Sequence, residues 1–148
     1  MSNTFDSARP MGGLADMPAA DNARTGKIAL WTGRVLSGLV AAMMIMSAVM
    51  KFVQPPMAVE GTERLGWTMD SAVALGIIEM AAAILLLIPQ TAVLGAILLT
   101  GYLGGAIATH VRINDPFIVP ALMGVVVWLA VFLREPRLRA LLPWRRGT

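Results

Sequence analysis

The chain has 148 residues, 57% of them hydrophobic and 14% charged, with a net charge of +3 and a mean hydropathy of +0.70, whereas an average soluble domain carries about 25% charged residues. The absence of cysteine excludes disulfides, thiol nucleophiles and Cys-ligated iron–sulfur clusters; one histidine excludes a bis-His haem, and a His/Met pair is the form of axial ligation left among 11 methionines. Lys and Arg gather in the short flanks of apolar runs, where membrane topology places them, so the positive charge is not read as a nucleic-acid surface.

Residues 1–27 are rich in Ala, Gly, Pro, Asp and Arg without an apolar period and are expected to be a disordered cytoplasmic tail. They do not read as a signal peptide, because the first long apolar run begins only at Ile28. Four runs follow, at 28–50, 71–88, 92–111 and 116–133. Each approaches the ~20 residues that cover a ~30 Å hydrocarbon core. The expected fold is therefore all-α, a polytopic membrane protein with four transmembrane helices in an antiparallel bundle, followed by a basic cytoplasmic tail at 134–148.

Between the first two runs, Pro55 and Pro56 break the helix, 57–66 has the makings of a short surface helix, Trp67 suits the headgroup level and Asp70 is a candidate N-cap. Pro89, Gln90 and Thr91 join the second and third runs, which must then be adjacent and antiparallel. Arg112 to Asp115 join the third and fourth, with Pro116 suited to the first turn of the last helix. At the opposite face Trp31 and Trp144 stand where interfacial aromatics belong, and Arg137 to Arg146 with Leu138, Leu141 and Leu142 reads as a basic anchor on the membrane.

Charge counting sets the orientation. Arg9, Arg24, Lys27, Arg134, Arg137, Arg139, Arg145 and Arg146 flank the outer ends of the four-run block, against Lys51, Arg64 and Arg112 in the first and third loops. Both termini are thus expected in the cytoplasm, in a bacterial host with the bundle in the inner membrane.

The polar residues within the runs carry the candidate sites. Glu79 lies ~12 Å into the second run, where an acidic side chain is costly and needs a partner inside the bundle. Tyr102 lies at similar depth in the adjacent third run, so a Tyr–Glu hydrogen bond is within reach. Arg34, ~9 Å into the first run, is long enough to reach Glu79 or to extend outward. This trio reads either as a polar clasp fixing helix register or as a proton, ligand or cofactor site.

A second constellation, Lys51, His110 and Arg112 with Asp115, falls at the rim. It offers a proton shuttle or a grip on an anionic headgroup, while rim charges serve more commonly as topology anchors. One His and one nearby carboxylate make too few ligands for a metal site, and no catalytic triad, phosphate loop or zinc motif is present. Gly101 and Gly105, with Gly95, Gly104 and Ala108 nearby, and Gly33, Ser37 and Ala41 place small residues at helical spacing. They are expected to pack helices within the chain in preference to forming a seam with a second copy, although a homo-oligomer is a further option.

The segments WTGRVLSGLVAAMMIMSAVMKF, GIIEMAAAILLLIPQTAVLGAILLTGYLGGAIATHVR and LREPRLRALLP together resemble the DoxX-like family of small four-helix bacterial membrane proteins, across residues 31–143. The resemblance rests on the end of the first run with Lys51, the Glu of the second, the Pro turn and the Gly-rich third run. It implies an association with quinone-linked sulfur oxidation in respiratory membranes and marks Lys51, Glu79 and His110 for testing. Three readings follow: an accessory subunit that holds a quinone for a redox partner without a catalytic or redox centre of its own, a small-molecule carrier or channel with Glu79 as its protonation site, and a structural membrane-stress protein.

Overall fold

The computed structural model describes residues 17–141, with side chains from 26 to 138. The expected tail over 1–16 and the stretch from 142 on, including Trp144, Arg145 and Arg146, lie outside the described residues, as do the side chains of Arg24 and Arg139. Among the described residues all regular structure is helical: α1 Met17–Val53, α2 Pro56–Arg64, α3 Met69–Leu87, α4 Ala92–Arg112, α5 Ile118–Arg134 and α6 Pro136–Leu141.

Helix α1 starts eleven residues before Ile28, so 17–27 extend the helix where a tail without regular structure was expected. Alanines supply helix propensity there, and Pro18 falls in the first turn, where its missing N–H costs nothing. A short helix expected at 57–66 is present as α2, Pro56–Arg64. The cap of α3 differs from expectation: Thr68, not Asp70, holds the N-cap position and accepts from the Ser71 amide, and Asp70 falls in the first turn.

The stretches Gly26–Val53, Met69–Leu87 and Ala92–Arg112 are long and apolar enough to cross a membrane, and α5 adds an apolar helix of 17 residues, ~25 Å of rise. Together they make an all-α polytopic membrane protein. Helix α1 packs against α3 and α5, and α4 packs against the same two, so the four helices form a ring in which the diagonal pairs keep their backbones apart and meet only through side chains. At one end of the bundle Gly33 meets Ala130 and Arg134 of α5; at the other, Gly76 of α3 lies against Lys51 and Phe52 of α1.

The core is built by helical periodicity. Val40, Ala41 and Met44 of α1 meet Ala82, Ala83 and Leu86 of α3, Ala96, Leu99 and Leu103 of α4, and Met123, Val127 and Val131 of α5. These positions concentrate from the middle of the bundle toward the α3–α4 turn. Large apolar side chains such as Leu39, Met43, Ile77, Leu94 and Val125 instead face outward and stay exposed, an arrangement suited to lipid and unfavourable in water.

Small residues divide into two groups. Gly33, Ser37 and Ala41 are buried, and a Cβ on Gly95 would fall inside the backbone of Leu85 and Leu86, so these serve close packing as expected. Gly101, Gly104 and Gly105 do not: a Cβ at any of them would meet nothing within 4 Å. Their face of α4 points away from the helices α4 packs on, which corrects the expectation of intramolecular packing for that pair of glycines.

Candidate functional site

The site begins with helix phase. Ser37, Ala41, Met44 and Ala48 are the buried stripe of α1, and continuing their 3–4 residue spacing leads to Lys51. A lysine at the end of an apolar helix would ordinarily extend to the headgroups; this one is set by its phase to face α3. Its ammonium donates to Glu79 Oε2 at 2.8 Å and to Ser47 Oγ, one turn earlier, at 2.8 Å. The absence of a side chain at Gly76 lets the Phe52 ring rest on α3 and brings the two helices close enough for that reach.

Glu79 is 1% exposed. Its Oε2 also accepts from the Tyr102 hydroxyl at 2.9 Å, so α1, α3 and α4 meet at one carboxylate oxygen. The ammonium stands 5.9 Å from the centre of the Tyr102 ring, within the range of a cation–π contact. The charge of Glu79 is thus met by one cation and one neutral donor, the pairing a buried carboxylate requires.

Glu79 and Tyr102 meet as their depths imply, and the third member expected beside them is Arg34. The structure puts Lys51 in that place. Arg34 lies one position off the buried stripe, is exposed, and stacks over Trp31 at 5.9 Å. Ser47 was not singled out beforehand; its four-residue spacing from Lys51 on the same helix face is the signal that could have found it.

Above the cluster, on the side away from the packed core, is a cavity of about 460 Å³, within the range of small-molecule sites. Lys51 and Tyr102 line its base, Ala72, Leu75 and Ile78 of α3 one wall, and Gly101, Gly105 and Ala106 of α4 another. Thr62, Leu65 and Trp67 come from α2 and the segment after it to form the roof, and Thr109 and His110 complete the lining. Before the fold was known nothing marked the α2 residues as part of a site, because their role depends on where that helix lies.

The expected rim constellation divides. Lys51 turns inward, and Arg112 donates to the Leu65 carbonyl at 2.7 Å. His110 Nδ1 is buried without a hydrogen-bond partner, 4.0 Å from Asp115 Oδ2, while Asp115 Oδ1 accepts from Arg64 at 2.7 Å. The three basic residues therefore do not converge on one anion. Arg64 and Arg112 instead tie α2 and its following turn to the end of α4. Gly66, at φ +79°, turns the chain back there with the Arg112 guanidinium against it, a backbone conformation that glycine adopts without strain.

Among the described residues, no group of three or more His, Asp or Glu is placed to hold a metal ion. What remains is an apolar chamber with an ammonium donor and a phenol oxygen at its base, built into a helical membrane bundle. The chain belongs to the DoxX-like family, whose model matches residues 35–133, from the buried stripe of α1 to the end of α5. Comparison with curated proteins finds no match, and comparison with solved structures finds none either.

Proposed function

We propose that this protein holds a small apolar molecule with a hydrogen-bond acceptor head in the chamber between α1, α3 and α4, as an accessory component of a quinone-linked membrane system. The observation that carries this reading is the joining of the Lys51–Glu79–Tyr102 cluster to a cavity of about 460 Å³. A polar clasp that only fixed helix register would have no need of an adjoining chamber.

A quinone head suits the site. Its carbonyls accept hydrogen bonds, the Lys51 ammonium has three N–H groups of which two serve Glu79 Oε2 and Ser47 Oγ at 2.8 Å while the Ser47 carbonyl lies only at a long 3.5 Å, and the walls are mainly aliphatic. A bound quinone would supply two-electron redox chemistry, and the protein's own residues would hold and orient it for a partner subunit. The charge distribution of the loops supports a bundle with four crossings and both termini in the cytoplasm, in a bacterial inner membrane.

The test is retention. Wild-type protein extracted in mild detergent from quinone-containing membranes is expected to carry quinone measurable by extraction and chromatography, and Glu79→Gln and Lys51→Met to lose most of it. Quinone content equal to that of an unrelated membrane protein, or unchanged in both variants, would refute the assignment. Proton-coupled uptake by proteoliposomes, abolished in Glu79→Gln, would favour a carrier instead.

A further inference from the structure

We propose that the gap between α3 and α4 at Gly101 and Gly105 is the entrance to the chamber, opening to the lipid, and that its occupant is an uncharged amphiphile whose tail lies out through this gap. The inference rests on the chamber being a binding site and adds the route, the charge and the shape of what binds.

The two helices are locked together at the α3–α4 turn, where Gly95 lies on the backbone of Leu85 and Leu86. Farther along α4 that contact is lost. Gly101 and Gly105 both line the chamber and are themselves exposed, with nothing within 4 Å of where a Cβ would be. On the facing wall Ile78 is 52% exposed while also lining the chamber. The wall is therefore incomplete on a side that carries apolar residues such as Ile77, Ile97 and Leu98, the surface that lipid covers.

The other approach is roofed. Leu65 lines the chamber while its carbonyl accepts from Arg112, and Arg64 pairs with Asp115, so α2 is tied across the end from which a water-borne ligand would come. Glycine in a helix interior is unfavourable relative to alanine. Gly101 and Gly105 return no packing within the chain for that cost, and an unobstructed gap gives them a purpose.

The charge of the occupant follows from the base. Lys51 is the cation there, and Glu79 already matches it at 2.8 Å. An anion drawn to Lys51 would leave a carboxylate that is 1% exposed facing it in a medium of low dielectric, which is unfavourable. A neutral acceptor such as a ketone or quinone carbonyl takes the N–H whose only other contact is the Ser47 carbonyl at a long 3.5 Å, without disturbing the pair.

A decyl-substituted benzophenone, with a neutral ketone head and an apolar tail, tests this in proteoliposomes, where irradiation cross-links it to whatever it contacts and mass spectrometry maps the adducts. Wild-type protein is expected to be labelled at Leu75 and Ala106. Gly101→Leu and Gly105→Leu should each reduce that labelling at least tenfold, while Gly104→Leu, equally unobstructed but outside the lining, should leave it within twofold. Thermal unfolding of all three variants checks that each is folded. Chamber labelling that is insensitive to Gly101→Leu and Gly105→Leu, or equally sensitive to Gly104→Leu, overturns the entrance and leaves the binding site standing. Labelling confined to outward residues such as Ile97 overturns the binding site as well. A carboxylated benzophenone that labels the chamber as well as the neutral one overturns the assignment of charge.

Discussion

Lys51 and Glu79 are unequal partners, and the inequality is measurable. The Lys51 side chain is 20% exposed and can turn toward the chamber, whereas Glu79 is 1% exposed and has no other direction to take. Removing one member of a buried pair costs about 3–5 kcal/mol when the remaining charge cannot be solvated. Lys51→Met is therefore expected to destabilise the bundle by about that much, and Glu79→Gln by less, roughly half, because the ammonium left behind keeps Ser47 Oγ and its long side chain can extend toward the headgroups. The double variant Lys51→Met/Glu79→Gln should be more stable than the sum of the two changes implies. Thermal unfolding in one detergent reads all three; equal losses for the single variants, or strict additivity in the double, would mean that the pair is not coupled as its geometry requires. That Glu79 needed a partner was evident from its depth in an apolar run. Which partner was not, since Arg34 and Lys51 are both long cations on α1, ~25 Å apart along its axis, and both the phase of α1 and its depth against α3 decide which of them meets Glu79.

The helices are held by different means at their two ends. Near the α3–α4 turn, backbones touch through Gly95, the Thr91 hydroxyl donates to the Leu85 carbonyl at 2.9 Å, and Arg134 of α5 reaches across the bundle to donate to the Leu86 carbonyl at 2.7 Å, so two carbonyls of the last turn of α3 gain side-chain donors. At the α2 end α3 and α4 separate around the chamber, while α1 and α3 stay close at Gly76. Two alanine substitutions should report this contrast. Gly95→Ala forces α3 and α4 apart and is expected to cost about 1–3 kcal/mol, the usual range for overpacking. Gly101→Ala adds a methyl group to open space and should be neutral or stabilising by up to ~1 kcal/mol through helix propensity. The pair is compared by melting temperature, and a loss at Gly101 matching that at Gly95 would show α4 packed where the structure leaves it open. Small residues at four-residue spacing look alike in sequence, and it takes a neighbouring helix to separate those that pack from those that do not.

At the scale of the whole molecule, the outward-facing apolar residues and the membership in a membrane family make lipid the surrounding medium. Three helices have the length to cross it, and α5, at 17 residues, spans ~25 Å, enough for a bilayer that thins slightly or for flanking residues to complete the distance. The four crossings proposed above would put both ends of the chain on one side. Reporter fusions at the two termini are expected to give the same compartment, and a fusion in the α4–α5 connection near Asn114 the opposite one. Termini reporting different sides would mean that α5 does not cross, and the ring of four helices would then need another setting in the membrane.

The succession of apolar runs, their Pro-marked connections and the short helix α2 were all determined by the sequence alone, because lipid burial and backbone hydrogen bonding act on each segment locally and leave their mark in composition. The isolation of Glu79 as the costly group belongs there too. Only the tertiary structure decided that Lys51 answers it, that Ser47 supports Lys51, that α2 roofs a chamber, and that Gly101 and Gly105 stand open beside it. Those features depend on the rotation of each helix about its axis and on the spread of α3 from α4, which are set jointly by the contacts of all four helices and are carried by no single stretch of residues.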